Sequence, residues 1–341
     1  MIQVLTQVPI PGYRISMRLF GSIAKFTEEY GLIGEQDRIL AAVSGGPDSV
    51  VLLHFLSWYR QRRRRPFPLA VAYVHHHLRK AADRECVFVE RCARQAQVPF
   101  FRADVRLANK KSLEEAARLK RYRALADIAR KEGYTRIAAG HTLDDQAETL
   151  LMRFCRGAGL RGLCGIHPCS QPIAGSPTAV IRPLLMTSRD DIERYLAAGR
   201  IPFMTDASNF SAAFQRNRLR RDILPLLERE NPGAKRHLAT AAFLLQEDCA
   251  FMDTAAEGAF DRLCQRKGKT ISVDREGFLA LPKAMQRMLA GMLIAAATGA
   301  PYRSRFAIGE ICKGMASPRG EFLISSPRLR LVRKKKKVMV E

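Results

Sequence analysis

The segment SGGPDS, Ser44 to Ser49, lies between two apolar runs and combines glycine with hydroxyl and carboxyl side chains. Glycine lets backbone N–H groups approach a ligand closely, and the start of a helix favours an anion. No lysine follows Gly45 and Gly46, so the segment differs from the GxxxxGK(S/T) phosphate loop. A carboxylate beside phosphates needs a bridging cation. Asp48 therefore predicts a polyphosphate with Mg²⁺, and a plain helix-capping turn is the alternative.

A second polar segment, GHTLDDQAE, follows another apolar run. Asp145 and Glu148 are three positions apart, on one face of a predicted helix that starts near Leu143. Such carboxylates can bind Mg²⁺ or an ammonium group, although acids in a first turn also interact favourably with the helix dipole alone. His141 directly precedes this helix. Because parallel strands end at one edge of a sheet, we expect this group to lie beside the Ser44 loop.

Arginines form three further groups. Arg156 and Arg161 flank glycines in RGAGLRGL, a segment that suits a phosphate, an RNA backbone or a mobile connection. Arg118 lies on a predicted helix whose basic face is most simply a solvated surface. Arg216 and Arg218 belong to an arginine run at the start of a predicted helix, where the dipole disfavours positive charge. That position favours a phosphate partner.

Histidine and cysteine give weaker signals for a metal site. Three consecutive histidines, His75 to His77, follow the second predicted strand. Side chains alternate between faces in a strand, so the three cannot all bind one metal ion, but one imidazole such as that of His76 could contact a nucleotide. The eight cysteines are scattered, without a CxxC pair. This pattern predicts reduced thiols.

Apolar runs and helical patterns alternate through the first two hundred residues. The predicted strands cover 38–43, 69–76, 100–105, 136–141 and 179–185, and the predicted helices cover about 48–58, 82–96, 112–132 and 143–155. Ser112 and Glu115 predict a capping box for the third helix. The alternation predicts an α/β fold, a doubly wound and mainly parallel sheet with helices on both faces. After about residue 215 the pattern predicts a mainly helical second domain that ends in short basic strands.

The charge balance indicates the kind of partner. Lysine and arginine number 57 against 33 acids, which gives a formal charge of +24. This excess favours nucleic acid over a membrane surface, because no apolar segment has the length needed to span a bilayer. The first residues lack the pattern of a secretory signal, so we expect a cytoplasmic protein. The oligomeric state stays open, with a homodimer as one alternative.

Together these segments resemble a known family. SGGPDS is similar to the SGGxDS signature of the N-type ATP pyrophosphatases, or PP-loop superfamily, whose members bind ATP with Mg²⁺ and cleave it between the α and β phosphates. Further segments resemble, in order, the motifs of tRNA(Ile)-lysidine synthetases: VHHHLR, EEAARLKRYRAL, GHTLDDQAETLLMRFCRGAGLRGL, IRPLL and DASNFSAAFQRNRLRRDILP. The resemblance covers about residues 38–232. His77 stands where this family usually has glycine.

The resemblance implies that ATP activates the wobble cytidine of a tRNA(Ile) with a CAU anticodon and that free L-lysine then attacks C2 of the adenylated base. It implies the following ATP-binding residues: Ser44, Gly45, Gly46, Pro47, Asp48, Ser49, His76, Arg118 and His141. It also implies that Asp48 binds Mg²⁺, that Asp145 and Glu148 bind lysine, and that these three acids are catalytic. Arg156, Arg161, Arg216 and Arg218 would contact tRNA or neutralise phosphate.

The implied domains are an N-terminal extension over 1–35, an ATP-binding catalytic domain over 36–215 and a basic tRNA-binding domain over 216–341. Two other functions are weighed against this one. A cytidine thiolase of the same superfamily works through cysteines, commonly paired as CxxC, and no such pair occurs here. A non-catalytic RNA-binding module has no reason to retain Asp48, Asp145 and Glu148 at an anion-binding edge.

Overall fold

The computed structural model describes residues 13–75, 81–105, 113–173, 175–205, 215–268, 270–299, 305–318, 320–324, 329–334 and 337–340. Contacts between Cα atoms divide the chain into two compact units, Met1–Leu245 and Gln246–Glu341, which are described one at a time. The domain limits expected from the sequence, at 36 and 216, stay predictions.

The first unit is built on a six-stranded sheet. Its strands are β1 (Ile39–Ala42), β2 (Leu69–His75), β3 (Phe100–Asp104), β4 (Arg136–Ala139), β5 (Cys169–Ser170) and β6 (Ala179–Ile181). They are ordered β3-β2-β1-β4-β6-β5, and all neighbouring pairs are parallel except β5 with β6. The mainly parallel sheet expected from the alternating pattern is confirmed.

Helices surround this sheet. They are α1 (Tyr13–Glu29), α2 (Pro47–Arg62), α3 (Ala81–Gln95), α4 (Leu113–Glu132), α5 (Leu143–Cys155), α6 (Leu160–Leu163), α7 (Arg189–Ala198), α8 (Gln215–Arg218) and α9 (Leu224–Glu230). A π-helical turn, Leu219–Ile223, connects α8 to α9. The next helix, α10 (Ala234–Leu263), contains the division between the two units.

Buried side chains form a core on each face of the sheet. In β1, Leu40 packs in one core with Leu125 of α4, whereas its neighbour Ala41 belongs to the other core with Phe55 of α2. This alternation follows from the two-residue period of a strand. Phe20 of α1 lies in the second of these cores, so residues that the sequence assigned to an extension pack with the sheet and its helices.

The strand order reverses beside β1. From β1 the chain proceeds to β2 and β3 on one side, and then returns to place β4 on the other side. The loops that follow β1 and β4 therefore leave the sheet in different directions and open a crevice, the usual ligand-binding position in such sheets. Residues 44–49 and 140–142 lie in these two loops.

Two expectations differ from the structure or lie beyond it. The strand expected over 179–185 ends at Ile181, because Pro183 has no N–H group for a ladder and residues 183–186 form a turn. Ser112 of the expected capping box lies outside the described residues. Within the described ranges, none of the helices is long and apolar enough to cross a membrane.

The second unit pairs an antiparallel sheet with helices. Its strands are β7 (Cys264–Lys267), β8 (Thr270–Asp274), β9 (Glu321–Ile324), β10 (Leu329–Lys334) and β11 (Lys337–Val340), and its further helices are α11 (Arg275–Ala280), α12 (Lys283–Thr298) and α13 (Arg305–Ala316). The sheet order is β7-β8-β11-β10-β9. In β10, buried Leu329 and Leu331 alternate with exposed Arg330, so one face of the sheet packs on the helices.

Candidate active site

The Ser44 loop, residues 44–49, joins β1 to α2 and is held by its own hydrogen bonds. Oγ of Ser49 donates to the carbonyl oxygen of Gly46 at 2.9 Å and accepts from the N–H of Ser44 at 3.2 Å. Gly46 caps α2 without a side chain, and Pro47 lies in the first turn, where its missing N–H costs nothing. The first N–H groups of α2 thus form an anion site with no capping side chain over it.

Glycine is needed at two close approaches around this loop. Gly45 has a φ of +88°, and its carbonyl oxygen accepts a hydrogen bond from the N–H of Met204 at 2.9 Å. A Cβ on Gly140, just after β4, would lie 3.2 Å from the backbone oxygen of Asp48 and 3.3 Å from the nitrogen of Ser49. The end of β4 therefore packs directly against the first turn of α2.

The carboxylate of Asp48 points into this region. Its Oδ2 lies 3.2 Å from Nη2 of Arg189, and its buried Oδ1 has no hydrogen-bond partner among the described residues. Burial raises the pKa of Asp48 to about 6, an effect that Arg189 opposes and Asp145 reinforces. An unpartnered carboxylate oxygen beside an anion site fits a hard divalent cation.

His141 contributes a neutral imidazole. Its Nδ1 is buried and finds no hydrogen-bond partner in the part of the chain that the structure describes. Burial lowers the pKa of His141 to about 3; the nearby carboxylate of Asp145 opposes this shift, and Arg182 adds to it. At neutral pH the ring is uncharged and can offer a nitrogen to a ligand.

A capping box fixes the start of α5. The N–H of Thr142 donates to Oδ2 of Asp145 at 2.9 Å, and the N–H of Asp145 donates to Oγ1 of Thr142 at 3.4 Å. One turn later Glu148 lies on the same helix face with a side chain that is 0 % exposed. The helix therefore presents two carboxylates whose positions its first turn determines.

Two arginines hold these carboxylates. Arg216 donates from Nε to Oε2 of Glu148 at 2.5 Å and from Nη2 to Oδ1 of Asp145 at 2.8 Å. Arg220 donates from Nε to Oε1 of Glu148 at 2.6 Å and from Nη2 to Oε2 at 3.0 Å. We call these four residues the acid–arginine cluster. Although burial raises the pKa of Asp145, Arg216 and His141 lower it to about 2, so this carboxylate stays ionised.

The third acid of the segment GHTLDDQAE, Asp144, contacts residues outside the acid–arginine cluster. Its Oδ2 accepts from the backbone N–H of Arg189 at 2.9 Å, and its Oδ1 lies 3.1 Å from Nζ of Lys235. Lys235 also lies 2.9 Å from Oε2 of Glu228. Asp144 thus ties the first residue of α7 to α5.

A cavity of about 1000 Å³ opens between these elements. The predicted site residues that line it are Ser44, Gly46, Pro47, Asp48, Ser49 and His141. Val43, Ala72 and Leu125 give it an apolar wall that suits a nucleoside base, and Arg121, Arg189 and Arg220 give it positive charge. Asp145 and Glu148 do not line it; Arg220 does, and it holds both of these acids.

Several predicted residues lie elsewhere. Arg118, Arg156, Arg161 and Arg218 are exposed and do not line the cavity, and His76 lies outside the described residues. Arg189 was not predicted from the sequence. The signal that could have found it is the segment SRDD, in which Ser188 caps α7 and an arginine follows at the first helical position.

The site offers few protein ligands for a metal. Within the described ranges, no three His, Cys, Asp or Glu side chains are grouped so that they could hold a metal ion by themselves. Asp48 would therefore hold a cation together with oxygens of a bound phosphate, which is the usual arrangement for Mg²⁺ at nucleotide sites.

A family model described as the PP-loop domain matches residues 18–227. With more than half of its residues matched and the Ser44 loop at the switch point of a parallel sheet, the chain belongs to the PP-loop family. The resemblance stated from the sequence is confirmed at this level.

Within this family, the chain is similar in sequence to proteins named tRNA(Ile)-lysidine synthase. The tRNA(Ile)-lysidine synthase of Geobacter sulfurreducens is 38% identical over 296 residues, which cover 83% of this chain and 60% of the relative. The tRNA(Ile)-lysidine synthase of Thermosipho africanus is 42% identical over 210 residues, covering 60% of this chain and 47% of the relative. The chain thus spans about half the length of the curated relatives it matches.

Solved structures support the fold. The U34-tRNA thiolase NcsA from Methanococcus maripaludis, determined with its iron–sulfur cluster, aligns with a TM-score of 0.57 at 16% identity, over 69% of this chain and 81% of that chain. At this identity the likeness concerns the fold alone.

Proposed function

We propose that this chain uses ATP to attach L-lysine to C2 of the wobble cytidine in a tRNA(Ile) with a CAU anticodon, which produces lysidine and lets the base pair with A instead of G. The observation that carries the proposal is that one cavity is lined both by the Ser44 loop and by Arg220, the member of the acid–arginine cluster that holds Asp145 and Glu148. The similarity to tRNA(Ile)-lysidine synthases supports the choice of substrates.

In the first step the Ser44 loop and the N-terminus of α2 bind the phosphates of ATP. Asp48, whose Oδ1 has no hydrogen-bond partner in the described part of the chain, would hold Mg²⁺, which would supply neutralisation of the phosphate charge. The C2 oxygen of the cytidine bonds to the α-phosphorus, and the bond to the β-phosphate oxygen breaks, so pyrophosphate leaves. Neutral His141 stays beside the phosphates without adding charge.

In the second step the side-chain ammonium of lysine binds Asp145 and Glu148 and takes the place of a guanidinium of the acid–arginine cluster. One of these two carboxylates accepts a proton from the ammonium, and the free amine then attacks C2. The new C–N bond forms, the C2–O bond breaks, and AMP leaves with that oxygen. The displaced guanidinium, which we assign to Arg220 because it lines the cavity, neutralises phosphate charge.

A nitrogen nucleophile suits this cavity better than a sulfur carrier. Cysteine is absent from the cavity lining as far as the described residues go, whereas Arg220 lines the cavity and holds Asp145 and Glu148 beside it. The formal charge of +24 favours an RNA substrate. A cytoplasmic location and a homodimer stay predictions.

The test is incorporation of labelled lysine into an unmodified CAU-anticodon tRNA(Ile) transcript with ATP and Mg²⁺. We expect incorporation by the wild type, loss in Asp145→Asn, and none into a methionine tRNA with the same anticodon. RNA-dependent release of pyrophosphate without lysine incorporation would retain the adenylation step and reject lysine as the second substrate.

A further inference from the structure

Arg189 has a place in the cavity that the proposed function does not yet use. Its guanidinium lies in the cavity wall, with Nη2 3.2 Å from Oδ2 of Asp48, and its side chain is 27 % exposed. Its Nε is buried and has no hydrogen-bond partner in the described part of the chain. Arg189 therefore has both an exposed portion facing the cavity and an unused donor beside the Ser44 loop.

The position of Arg189 in its helix is electrostatically unfavourable. Arg189 is the first residue of α7, where the helix dipole disfavours positive charge. Asp144 fixes its backbone by accepting from its N–H at 2.9 Å, and Ser188 caps the helix by accepting from the N–H of Asp191 at 3.1 Å. The backbone at the start of α7 is thus hydrogen-bonded without help from the guanidinium. The side chain of Arg189 is therefore available to bind a ligand in the cavity.

We infer that Arg189 binds the terminal phosphates of ATP and neutralises the pyrophosphate that leaves. Without a ligand the guanidinium compensates the charge of Asp48; with Mg²⁺ on that carboxylate, the guanidinium is released to a phosphate oxygen. When the bond between the α-phosphorus and the bridging oxygen breaks, the electron pair goes to pyrophosphate, and Arg189 stabilises the added charge. The inference rests on the proposed use of ATP.

The test measures binding of ATP, inorganic pyrophosphate and AMP to the full chain by calorimetry, with Mg²⁺ and without RNA or lysine. In Arg189→Gln we expect affinity for ATP and pyrophosphate to fall roughly 10- to 100-fold, with AMP affinity nearly unchanged. Arg189→Lys, which keeps the positive charge, should show a smaller loss of affinity for ATP and pyrophosphate. The matched control is Arg194→Gln on the same helix, whose side chain is 71 % exposed and pairs with Asp191.

Equal loss of all three ligands in Arg189→Gln would overturn the inference, since it would mean that the arginine only supports the shape of the loop. Unchanged or tighter pyrophosphate binding would also overturn it, because Arg189 would then only neutralise Asp48. If Arg189→Gln fails to fold, Arg189→Lys decides by the same comparison. If Arg189→Gln loses affinity for ATP and pyrophosphate but not for AMP, while the wild type incorporates no lysine, the proposed function alone would be rejected. A wild type that binds neither ATP nor pyrophosphate would reject both the inference and the proposed function.

Discussion

Oε2 of Glu148 accepts a hydrogen bond from Nε of Arg216 at 2.5 Å, although 68 positions separate the two residues in the chain. The second oxygen of the same carboxylate accepts from Arg220 at 2.6 Å. A completely buried carboxylate thus holds two arginines that come from a different part of the first unit. Removing this carboxylate would leave Arg216 of α8, and Arg220 at the cavity, without their partner on Glu148.

Glu148→Gln should destabilise the first unit by about 3 kcal/mol, because two partly buried guanidiniums lose their main anion. The single tryptophan, Trp58, lies in α2 of that unit, so its fluorescence during urea unfolding reports the change. The control is Glu90→Gln, whose 48 % exposed carboxylate pairs with Arg94 and should contribute less than about 1 kcal/mol. Equal urea midpoints for the two variants would contradict the prediction.

Arg220→Gln should raise the affinity for free lysine in the absence of RNA. Arg220 competes for the carboxylates that we propose for the lysine ammonium, so its removal leaves an anionic site less occupied. Lysine incorporation should nevertheless fall, since phosphate charge is less well neutralised. Calorimetric titration with lysine measures the first effect, and the exposed Arg218→Gln is the comparison. Weaker lysine binding in Arg220→Gln would show that the arginine does not compete.

Gly45→Ala should cost about 1–3 kcal/mol of stability, because alanine is strained at a φ of +88° and its Cβ would lie 3.3 Å from both Met204 and Phe88. Gly46→Ala is the matched control. Its φ is −70°, and the nearest atom to an added Cβ is Oγ of Ser44 at 3.6 Å, so the cost should stay below about 1 kcal/mol. Urea unfolding followed at Trp58 compares them, and the reverse order of midpoints would refute the argument.

Because of His54, the free energy of unfolding of the first unit should decrease as the pH falls from about 6.5 to about 4. Its Nδ1 lies 3.0 Å from the hydroxyl oxygen of Tyr195 between α2 and α7, and burial lowers its pKa from 6.5 to about 4. Between these values the unfolded chain binds a proton that the folded chain does not. Stability therefore rises with pH across this window and is lost as pH falls, by up to about 3 kcal/mol.

The variant His54→Asn keeps an amide group near the position of Nδ1 and cannot take up the proton. Its free energy of unfolding should change less between pH 4.5 and 7.5 than that of the wild type. His237→Asn, at an exposed position, should keep the wild-type slope. Parallel slopes for the wild type and His54→Asn would mean that His54 titrates alike in the folded and unfolded chains.

The sequence predicted the elements that rest on local patterns. The first four strands and α5 lie within a residue or two of their expected ends, because apolar periodicity and turn residues act over short distances. It did not predict α7, although Ser188 and Asp191 have the spacing of a helix cap. That helix is short, and its apolar face is recognisable only once Tyr195 is seen to pack in the core.

Side-chain partners far apart in sequence were beyond prediction. The sequence placed Asp145 near His141 at the edge of the sheet, and the structure has them there. It could not assign Arg216 to these acids rather than to a phosphate, since that choice depends on how the chain returns after α7. The pairing of Asp48 with Arg189 has the same cause: 141 positions separate the two residues.

The carboxylate of Asp145 serves twice, as the partner of an arginine and as half of the cap that begins α5. A swing toward a ligand would break its hydrogen bond with the N–H of Thr142 at the start of the helix, whereas the long arginine side chains that oppose it can withdraw. In the proposed reaction Asp145 therefore fixes the position of the side-chain ammonium, which carries the reacting nitrogen. Amino acids of like charge but different length, such as ornithine and lysine, would then place their α-amino and carboxyl groups at different distances from this point, so chain length becomes a basis for selection.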